Sequence, residues 1–250
     1  MSKIYIKNEK EIELMRKAGK ILRVAQLAVL ESVREGVSLE KLDNIAESII
    51  RNAGGIPGFK GYRGFPKTLC TMINSEIVHG IPDSRKLKNG DLLSVDCGVI
   101  YKDLNADAAF SVVVGGEGKN LAREKFCNCV KAALEAGCSA ARLGNYVGDI
   151  GHAIERVVKK GGYRLVEEYT GHGIGYELHE DPHVFNYGNP KTGARLKEGM
   201  TICIEPIVSA GKPDNKTLKD GWTVVTLDGK DACQWEYCGV ITKDGFEIFA

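Results

Sequence analysis

Hydrophobic residues recur every three or four positions in the first part of the chain, which is the spacing of an amphipathic helix. The first such series runs from Ile12 to Val33 and has Gly36 as its stop signal. Asn8 and Glu11 have the spacing of a capping box, in which each side chain accepts a hydrogen bond from the other residue's N–H. The sequence therefore predicts a long helix that starts after Asn8.

A second helix is predicted from Ser38, a favourable N-cap residue, to the glycine pair at 54–55. A glycine-rich segment, GGIPGFKGYRGFP, follows it. Between about 68 and 114 the pattern changes to short apolar runs separated by hairpin signals. The predicted order is thus helix, helix and then strands.

The same order of elements returns in the second part of the chain. Helices are predicted over 121–137 and 145–160, and strand-like runs follow at 164–170, 200–209, 222–227 and 235–242. The segments LKNGDLLSVD (87–96) and LKEGMTICIEP (196–206) repeat one arrangement, 109 residues apart. We therefore predict a single α+β domain, 1–250, built from two pseudo-symmetric halves, roughly 1–118 and 119–250.

Both repeated segments lead to an acidic residue on the polar side of an apolar strand. Strand alternation places Asp96 and Glu205 on one face of their strands and the large apolar side chains on the other face. The stretch KDLN (102–105) predicts a hairpin turn that brings Asp107 across from Asp96. Glu236 lies on a further apolar strand. Pseudo-symmetry would bring these four acids together where the halves meet.

Four carboxylates in one buried place repel one another unless they are protonated, far apart or bound to cations. A metal site is the most economical explanation. Aspartate and glutamate oxygens favour divalent ions such as Mn, Fe or Co, and bridging carboxylates hold two ions about 3.5–4 Å apart. The alternative, a lone surface or salt-bridged role for each acid, is less favoured for four matched positions than for one.

The histidines are the candidate nitrogen ligands, and there are five of them: His79, His152, His172, His179 and His183. His152 lies on a predicted helix and is assigned to solvent or packing. The stretch 179–183 matches the HExxH zinc-protease pattern, but Pro182 excludes the helix which that motif needs. The glycine-rich stretches GHGIG and VVVGGEGK have neither dinucleotide nor phosphate-loop spacing, so nucleotide binding is unsupported.

The bulk composition narrows the class of protein. The 34 basic and 33 acidic residues balance, so no global field attracts nucleic acid or an acidic membrane. The eight cysteines are scattered and contain no CxxC motif. The opening segment MSKIYIKNEKEIELM has no apolar signal core, and no apolar run reaches 18 residues. We expect a cytoplasmic protein with reduced thiols and no DNA or membrane partner.

These residues resemble the type I methionine aminopeptidases, which have the pita-bread fold. The resemblance extends over essentially the whole chain. It rests on NSEIVHGIPD (74–83), the Asp-x10-Asp pair, TGHGIGYELHEDP (170–182), MTICIEP (200–206), DGWTVVTLDG (220–229) and QWE (234–236). It implies an antiparallel sheet inside the two halves and helices outside.

The resemblance also implies a dinuclear site with two divalent metal ions, Co, Mn or Fe, in each chain. Asp96 would chelate one ion, His172 and Glu205 the other, and Asp107 and Glu236 would bridge both. The implied reaction removes the N-terminal methionine from nascent proteins and peptides, with a metal-bridging water or hydroxide as the nucleophile.

Further roles follow from the same resemblance. Glu205 would shuttle a proton, while His79 and His179 would hydrogen-bond the substrate amide and the tetrahedral intermediate. An apolar slot would accept the methionine side chain, and its lining would be Tyr62, Phe65, Cys70, Trp222, Leu178 and Phe59. The glycines around Tyr62 and Phe65 suit a loop that covers a pocket.

Four positions depart from the family pattern. Asn105 and Tyr237 stand where histidines are common, Ala108 where a hydroxyl residue is frequent, and Leu178 where an aromatic residue is common. None is an implied metal ligand. These departures bear on metal affinity, pH optimum and pocket shape.

Two alternatives to methionine removal are open at this point. The first is a peptidase of the same fold that acts on Xaa-Pro bonds. Such peptidases resemble this chain only in their C-terminal half, and they usually carry an extra N-terminal domain. A non-catalytic member that binds protein or RNA would typically lose ligands, whereas all five are present. The expected partners are N-terminal methionine peptides and nascent chains, with transient ribosome contact by a monomer.

Overall fold

The computed structural model describes residues 4–250 of the chain. It contains helices α1 (Glu9–Ser32), α2 (Leu39–Asn52), α3 (Leu121–Ala140) and α4 (Val147–Gly161), and a one-turn 3-10 helix at Tyr62–Gly64. The strands before α3 are β1 (Ile56–Pro57), β2 (Leu69–Ile73), β3 (Glu76–Val78), β4 (Leu92–Tyr101) and β5 (Leu104–Val113). The strands after α4 are β6 (Arg164–Leu165), β7 (Gly171–Gly173), β8 (Glu180–Val184), β9 (Thr201–Ile204), β10 (Ile207–Ser209), β11 (Asn215–Thr217), β12 (Val224–Thr226), β13 (Ala232–Gln234), β14 (Glu236–Thr242) and β15 (Gly245–Ile248).

Side-chain caps start the first two helices where the sequence predicts. The Asn8 side chain accepts from the Glu11 N–H at 3.1 Å, and the Glu11 carboxylate accepts from the Asn8 N–H at 2.7 Å. Ser38 Oγ accepts from the Lys41 N–H at 3.2 Å and caps α2. Each bond satisfies an N–H that has no partner inside its helix. The predicted capping box is therefore confirmed.

Among residues 4–250, no helix combines the length and hydropathy that a membrane span requires.

The strands form one large sheet and two small ones. The large sheet has the order β1-β4-β5-β14-β9-β7-β8, with β2 also paired to β4 and β15 to β14. Its neighbouring strands all run antiparallel. The small sheets have the orders β13-β10-β6 and β11-β12-β3. The predicted antiparallel sheet is thus present. The strands that carry or directly precede a candidate acid, β4, β5, β9 and β14, all belong to the large sheet.

Helices pack against one face of the large sheet. Helix α1 contacts β4 and β5, while α3 contacts β5 and β9. Fully buried side chains such as Val95 and Ile202 fill these interfaces. Because strand side chains alternate, the acid at 96 and the acid that follows β9 belong to the opposite face. The helices lie outside the sheet, as the sequence predicts.

Matched backbone contacts relate the two parts of the chain. Gly90 and Gly199 both have positive φ angles, 84° and 82°, and they precede the apolar strands β4 and β9. The Gly90 N–H donates to Val114 O, and the Gly199 N–H donates to Ile241 O, at the far ends of the partner strands. Two isolated bridges correspond in the same way, Ser38 with Lys86 and Tyr146 with Arg195. These contacts favour the halves 1–118 and 119–250, a division that stays a prediction.

Several element boundaries differ from the predicted ones. Helix α1 ends at Ser32, before the predicted stop at Gly36, because Val33 is already extended. The predicted run 200–209 is two strands, since Glu205 and Pro206 interrupt it. The run 164–170 contains only the short β6. The sequence does not predict β7 or β8, because their glycines and polar residues lack an apolar alternation.

The buried stripe of α1 gives a test of the fold. Leu22 is fully buried in the hydrophobic cluster, whereas Val24 on the same helix is 56% exposed. We expect Leu22→Ala to lower the free energy of unfolding by about 2–5 kcal/mol because it leaves a cavity. Val24→Ala is the matched control and should change it by less than about 0.5 kcal/mol. Urea denaturation with a chelator present measures both without a contribution from metal binding, and equal losses would contradict this packing.

Candidate metal centre and active site

The β4–β5 hairpin brings the first two acids together. Its turn, Lys102-Asp103, has positive φ angles of 51° and 65°, as a tight two-residue hairpin turn requires. In the resulting register Asp96 pairs with Ala109, and Asp107 pairs with Gly98. The two aspartates are therefore diagonal neighbours on one face of the sheet rather than directly opposite. The hairpin predicted at 102–105 is confirmed.

The third strand of this group adds Glu236. It is the first residue of β14 and pairs with Ala109, which lies between it and Asp96. The small side chain of Ala109 leaves the space between the two carboxylates open. Glu205 directly follows β9, the next strand in the sheet, at the break before Pro206. The four acids thus come from four adjacent strands and share one site.

His172 lies at the centre of β7, between two glycines. A Cβ at Gly171 would overlap Cys203 O, and one at Gly173 would overlap Asp181 O, so both positions need glycine. This close packing brings His172 Nε2 to 3.6 Å from Glu205 Oε1. The imidazole therefore joins the acids from a fifth strand.

The ring of His172 is oriented as a metal ligand requires. Its Nδ1 lies 2.9 Å from Gly173 O. A carbonyl oxygen only accepts, so Nδ1 carries the proton and Nε2 keeps its lone pair. Desolvation, followed by the nearby His179 ring, lowers the pKa of His172 to about 3. The ring is neutral at physiological pH.

Burial raises the pKa of all four carboxyl groups. Desolvation is the largest cause at each of them. It raises the pKa of Asp96 to about 7 and the pKa of Asp107, Glu205 and Glu236 well above the ordinary range. Neighbouring carboxylates raise the last three further. Four negative charges are therefore unfavourable here unless cations neutralise them.

The donor atoms fit a divalent metal. One oxygen from each of Asp96, Asp107 and Glu236 lies within 4.8 Å of the others. A second group shares Glu236: its carboxylate, a ring nitrogen of His172 and the Cys203 sulfur also lie within 4.8 Å of one another. In the described chain, Asp96 Oδ1, Asp107 Oδ1 and Glu236 Oε1 are buried without a hydrogen-bond partner. Native proteins rarely leave buried oxygens unpaired, so these atoms indicate a bound ion.

A single cavity of about 500 Å³ adjoins this centre. It is lined by the five candidate ligands, by His79 and His179, and by every residue predicted for the methionine slot: Phe59, Tyr62, Phe65, Cys70, Leu178 and Trp222. His183 also reaches this cavity, while His152 is exposed on α4. The structure thus brings all the predicted site residues together and leaves His152 out.

Aromatic packing shapes the apolar end of the cavity. The Phe65 and Trp222 rings meet edge to face with centroids 5.2 Å apart. Phe59 packs on Gly98, where a Cβ would overlap its ring. Tyr62 and Trp222 are half-buried, and Cys70 and Leu178 are buried. The apolar end of the cavity is therefore formed by packed aromatic rings and buried apolar side chains.

The two candidate catalytic histidines stand at the polar end. His79 follows β3 with a positive φ of 58°, and its ring packs edge-on against Trp222 at 6.3 Å. The His179 Nδ1 lies 2.9 Å from the Tyr62 hydroxyl, and its ring is 4.4 Å from that of His172. Desolvation lowers the pKa of His79 and brings that of His179 to about 4. Both rings are neutral hydrogen-bonding groups at physiological pH.

Sequence reasoning missed several residues of the site. Gln234 Nε2 donates to Asp96 Oδ2 at 3.4 Å. Its place two residues before Glu236, on the same face of an extended segment, is the signal that could have found it. Cys203 lies beside the ligands two residues before Glu205, and desolvation raises the pKa of its thiol well above the usual range. Arg63, Val78, Glu168, Tyr169, Thr170, Glu180, Asp181 and Ile207 also line the cavity.

The four departures from the family pattern have different surroundings. Only Leu178 lines the cavity. The Asn105 side chain is buried and donates to Gly175 O at 2.9 Å. Ala108 is buried within β5, and Tyr237 packs against the cluster of buried apolar side chains from α3 and β9 that includes Leu134 and Ile202.

The antiparallel sheet, its outer helices and the carboxylate centre are those of a metal-dependent peptidase. The chain belongs to metallopeptidase family M24, whose model matches residues 13–243. Members of such a family hydrolyse peptide bonds and bind divalent metal.

The relatives within the family are informative. The chain is 41% identical to methionine aminopeptidase 1 of Bacillus subtilis over 245 residues, with 98% of both chains covered. The crystal structure of a methionine aminopeptidase from Thermotoga maritima matches with a TM-score of 0.96 at 38% identity and covers 99% of both chains. A prolidase from Pyrococcus furiosus matches with a TM-score of 0.75 at 25% identity, and this chain covers 64% of it. These matches confirm the predicted pita-bread fold.

Removing one carboxylate tests the metal centre in two opposite ways. We expect Asp107→Asn to weaken Mn²⁺ binding by about tenfold or more. Loss of a residue that only hydrogen-bonds a metal ligand already lowers metal affinity by about that factor, and loss of a ligand should lower it at least as much. The same change should raise the melting temperature of the metal-free protein, because burial and the neighbouring carboxylates disfavour the charged form of Asp107, whereas Asn carries no charge. Calorimetric titration and thermal melts measure the two effects. Asp103→Asn in the exposed hairpin turn is the control and should alter neither. Unchanged affinity in Asp107→Asn would remove this residue from the ligand set.

Proposed function

We propose that this protein is a methionine aminopeptidase that removes the N-terminal methionine from peptides and nascent proteins. The observation that carries the proposal is one cavity with a carboxylate and imidazole cluster at its polar end and apolar walls beside it. An unbranched thioether side chain fits such a slot. The names of the related proteins support the same substrate.

The proposed site holds two divalent ions, with Co, Mn or Fe as candidates. Asp96 would bind one ion and His172 with Glu205 the other, and Asp107 and Glu236 would bridge them. When bound, divalent ions would lower the pKa of a coordinated water and polarise the scissile carbonyl. The raised carboxyl pKa values support the need for cations, since the chain by itself disfavours these charges.

The proton and hydrogen-bond chemistry is assigned to three side chains. Glu205 would take a proton from the attacking water and deliver it to the departing amine, because a carboxylate that lines the polar end of the cavity can accept a proton and return it. His79 and His179 would donate hydrogen bonds to the substrate amide and to the oxygen of the tetrahedral intermediate. The Tyr62 hydroxyl at His179 Nδ1 supports this role, because it limits rotation of the ring.

The apolar slot selects the substrate. Phe65, Cys70 and Trp222 are proposed to enclose the methionine side chain, together with Tyr62, Leu178 and Phe59. A bulkier or charged first residue would have to displace the Phe65–Trp222 ring pair or lose its hydration without compensation. Selectivity for methionine therefore comes from fixed apolar walls.

An Xaa-Pro peptidase is the second candidate, because a prolidase has the same fold. The chain is 41% and 38% identical to the two methionine aminopeptidases but only 25% identical to that prolidase, which argues against it. We further propose that the protein acts as a cytoplasmic monomer on chains that emerge from the ribosome. The balanced charge of the chain gives no electrostatic reason for a nucleic-acid role.

The substrate is tested with three synthetic peptides. Metal-stripped protein titrated anaerobically with Mn²⁺, Fe²⁺ or Co²⁺ should release methionine from Met-Ala-Ser, because each ion suits the oxygen-rich ligand set. It should leave Leu-Ala-Ser and Ala-Pro-Ser uncut. Chromatography of the free amino acids measures all three reactions. Cleavage of Ala-Pro-Ser alone would replace the proposal with the Xaa-Pro reading.

The assigned residues are tested by substitution. We expect Glu205→Ala and His79→Ala to fold normally and to lower kcat by about 100-fold or more at saturating metal, because each removes a proton-transfer or hydrogen-bonding group. Steady-state kinetics on Met-Ala-Ser and circular dichroism provide the measurements. His152→Ala, on the exposed face of α4, is the control and should retain full activity. Undiminished turnover in either variant would remove that residue from the mechanism.

A further inference from the structure

A buried ion pair joins two distant parts of the chain beside the active site. Lys7 Nζ lies 2.6 Å from Glu180 Oε2, and the two side chains are only 1% and 3% exposed. Lys7 precedes α1, whereas Glu180 is the first residue of β8. This degree of burial distinguishes the pair from the surface ion pairs of the protein, such as Lys159 with Glu155.

Glu180 begins β8 at the end of a loop that lines the cavity. Leu178 and His179 immediately precede it, and all three residues line the cavity. The second oxygen of Glu180, Oε1, accepts from the Glu177 N–H at 3.2 Å. The carboxylate therefore closes the segment 177–180 into a turn, with His179 at its exposed side.

Lys7 is itself fixed to the large sheet. Its N–H donates to Gly199 O at 2.9 Å, and Ile6 forms a bridge with Met200, directly before β9. A Cβ at Gly175 would overlap the Lys7 side chain, so the loop rests closely on the lysine stem. The segment before α1 thus contacts both the residues directly before β9 and the 175–180 loop.

Stability alone is a weak reason for such a pair. Two charges lose their hydration on burial, and apolar side chains of similar size often serve stability as well or better. A pair with one fixed geometry is more useful for holding a segment in place. We propose that the Lys7–Glu180 ion pair positions His179 for its hydrogen bond to the reacting substrate, a role that rests on the proposed aminopeptidase function.

The surroundings of His179 show why position matters. Tyr62 contacts its Nδ1 from one side at 2.9 Å, and the His172 ring lies 4.4 Å away on another. The 175–180 loop, whose last residue pairs with Gly173 of β7, determines where the backbone of His179 stands between these groups. The metal ligands lie on or directly follow β4, β5, β7, β9 and β14, so a displaced 177–179 turn would move His179 more than it moves them.

The first experiment compares two lysine variants. Lys7→Met keeps the stem but removes the charge, and Lys7→Arg keeps the charge. We expect Lys7→Met to lower kcat on Met-Ala-Ser by about 10- to 100-fold with little change in KM, as displacement of a positioned group by about 1 Å does. Lys7→Arg should retain most of the turnover. Mn²⁺ affinity, measured by calorimetry, should stay within about twofold of the unsubstituted protein in both, since no metal ligand contacts Lys7.

The second experiment separates positioning from stability. In a His179→Ala background, Lys7→Met should cause no further loss of kcat, because the group that it positions is gone. Arg16→Met is the matched control, since it breaks the α1–β15 ion pair of Arg16 with Glu247 away from the cavity. It should lower the melting temperature and leave kcat unchanged. Equal losses from Lys7→Met in both backgrounds would overturn the proposal.

A spectroscopic readout covers the remaining outcomes. The ring nitrogen signals of His179 in ¹⁵N-labelled protein should shift in Lys7→Met and in Glu180→Gln, and not in Arg16→Met. Glu180→Gln also replaces Lys7→Met in the kinetic comparison if the latter does not fold. Methionine release by the unsubstituted protein tests the proposed function separately. If that release is absent, the aminopeptidase assignment fails, whereas unshifted His179 signals would overturn the ion-pair proposal in either case.

Discussion

The burial of four carboxyl groups in one place is the constraint on which the rest of this structure depends. Asp96, Asp107, Glu205 and Glu236 lie together on one side of the sheet, and their raised pKa values report the free energy that burial and proximity cost. Packing elsewhere must supply that free energy in the metal-free chain. The helix-covered face of the same sheet does so, through apolar side chains that are almost entirely removed from water.

The constraint also explains which small residues occupy the sheet. Ala109 lies between Asp96 and Glu236 in the strand register, and any larger side chain there would fill the space between the carboxylates. Gly171 and Gly173 let β7 approach its neighbours so that His172 reaches Glu205. The cluster is thus a property of strand spacing as much as of the ligands themselves. A binding site of this kind needs a rigid scaffold, which the central strands provide.

Sequence patterns predicted the parts of the molecule that obey local rules. The Asn8 capping box, the hairpin turn at 102–103 and the alternation around Asp96 each depend on neighbouring residues, and each is confirmed. The strands β7 and β8 escaped prediction because close backbone packing, not apolar periodicity, determines them. Gln234 escaped because its role depends on a contact with Asp96 across 138 positions. The metal-ligand roles were implied by family resemblance, and strand alternation alone gave only a shared face.

The segment before α1 shows how far such long-range dependence extends. Nothing in the local pattern around Lys7 predicts burial, since lysine is among the residues least often buried. Its environment is made by Glu180, by the rings of Tyr5 and Tyr176 at 5.2 and 5.3 Å, and by a glycine that leaves room for its stem. A charged side chain is retained in such a place when its fixed geometry matters more than the cost of its dehydration. The repeated acids define where the metal binds, and contacts between distant segments define how precisely the residues around it are held.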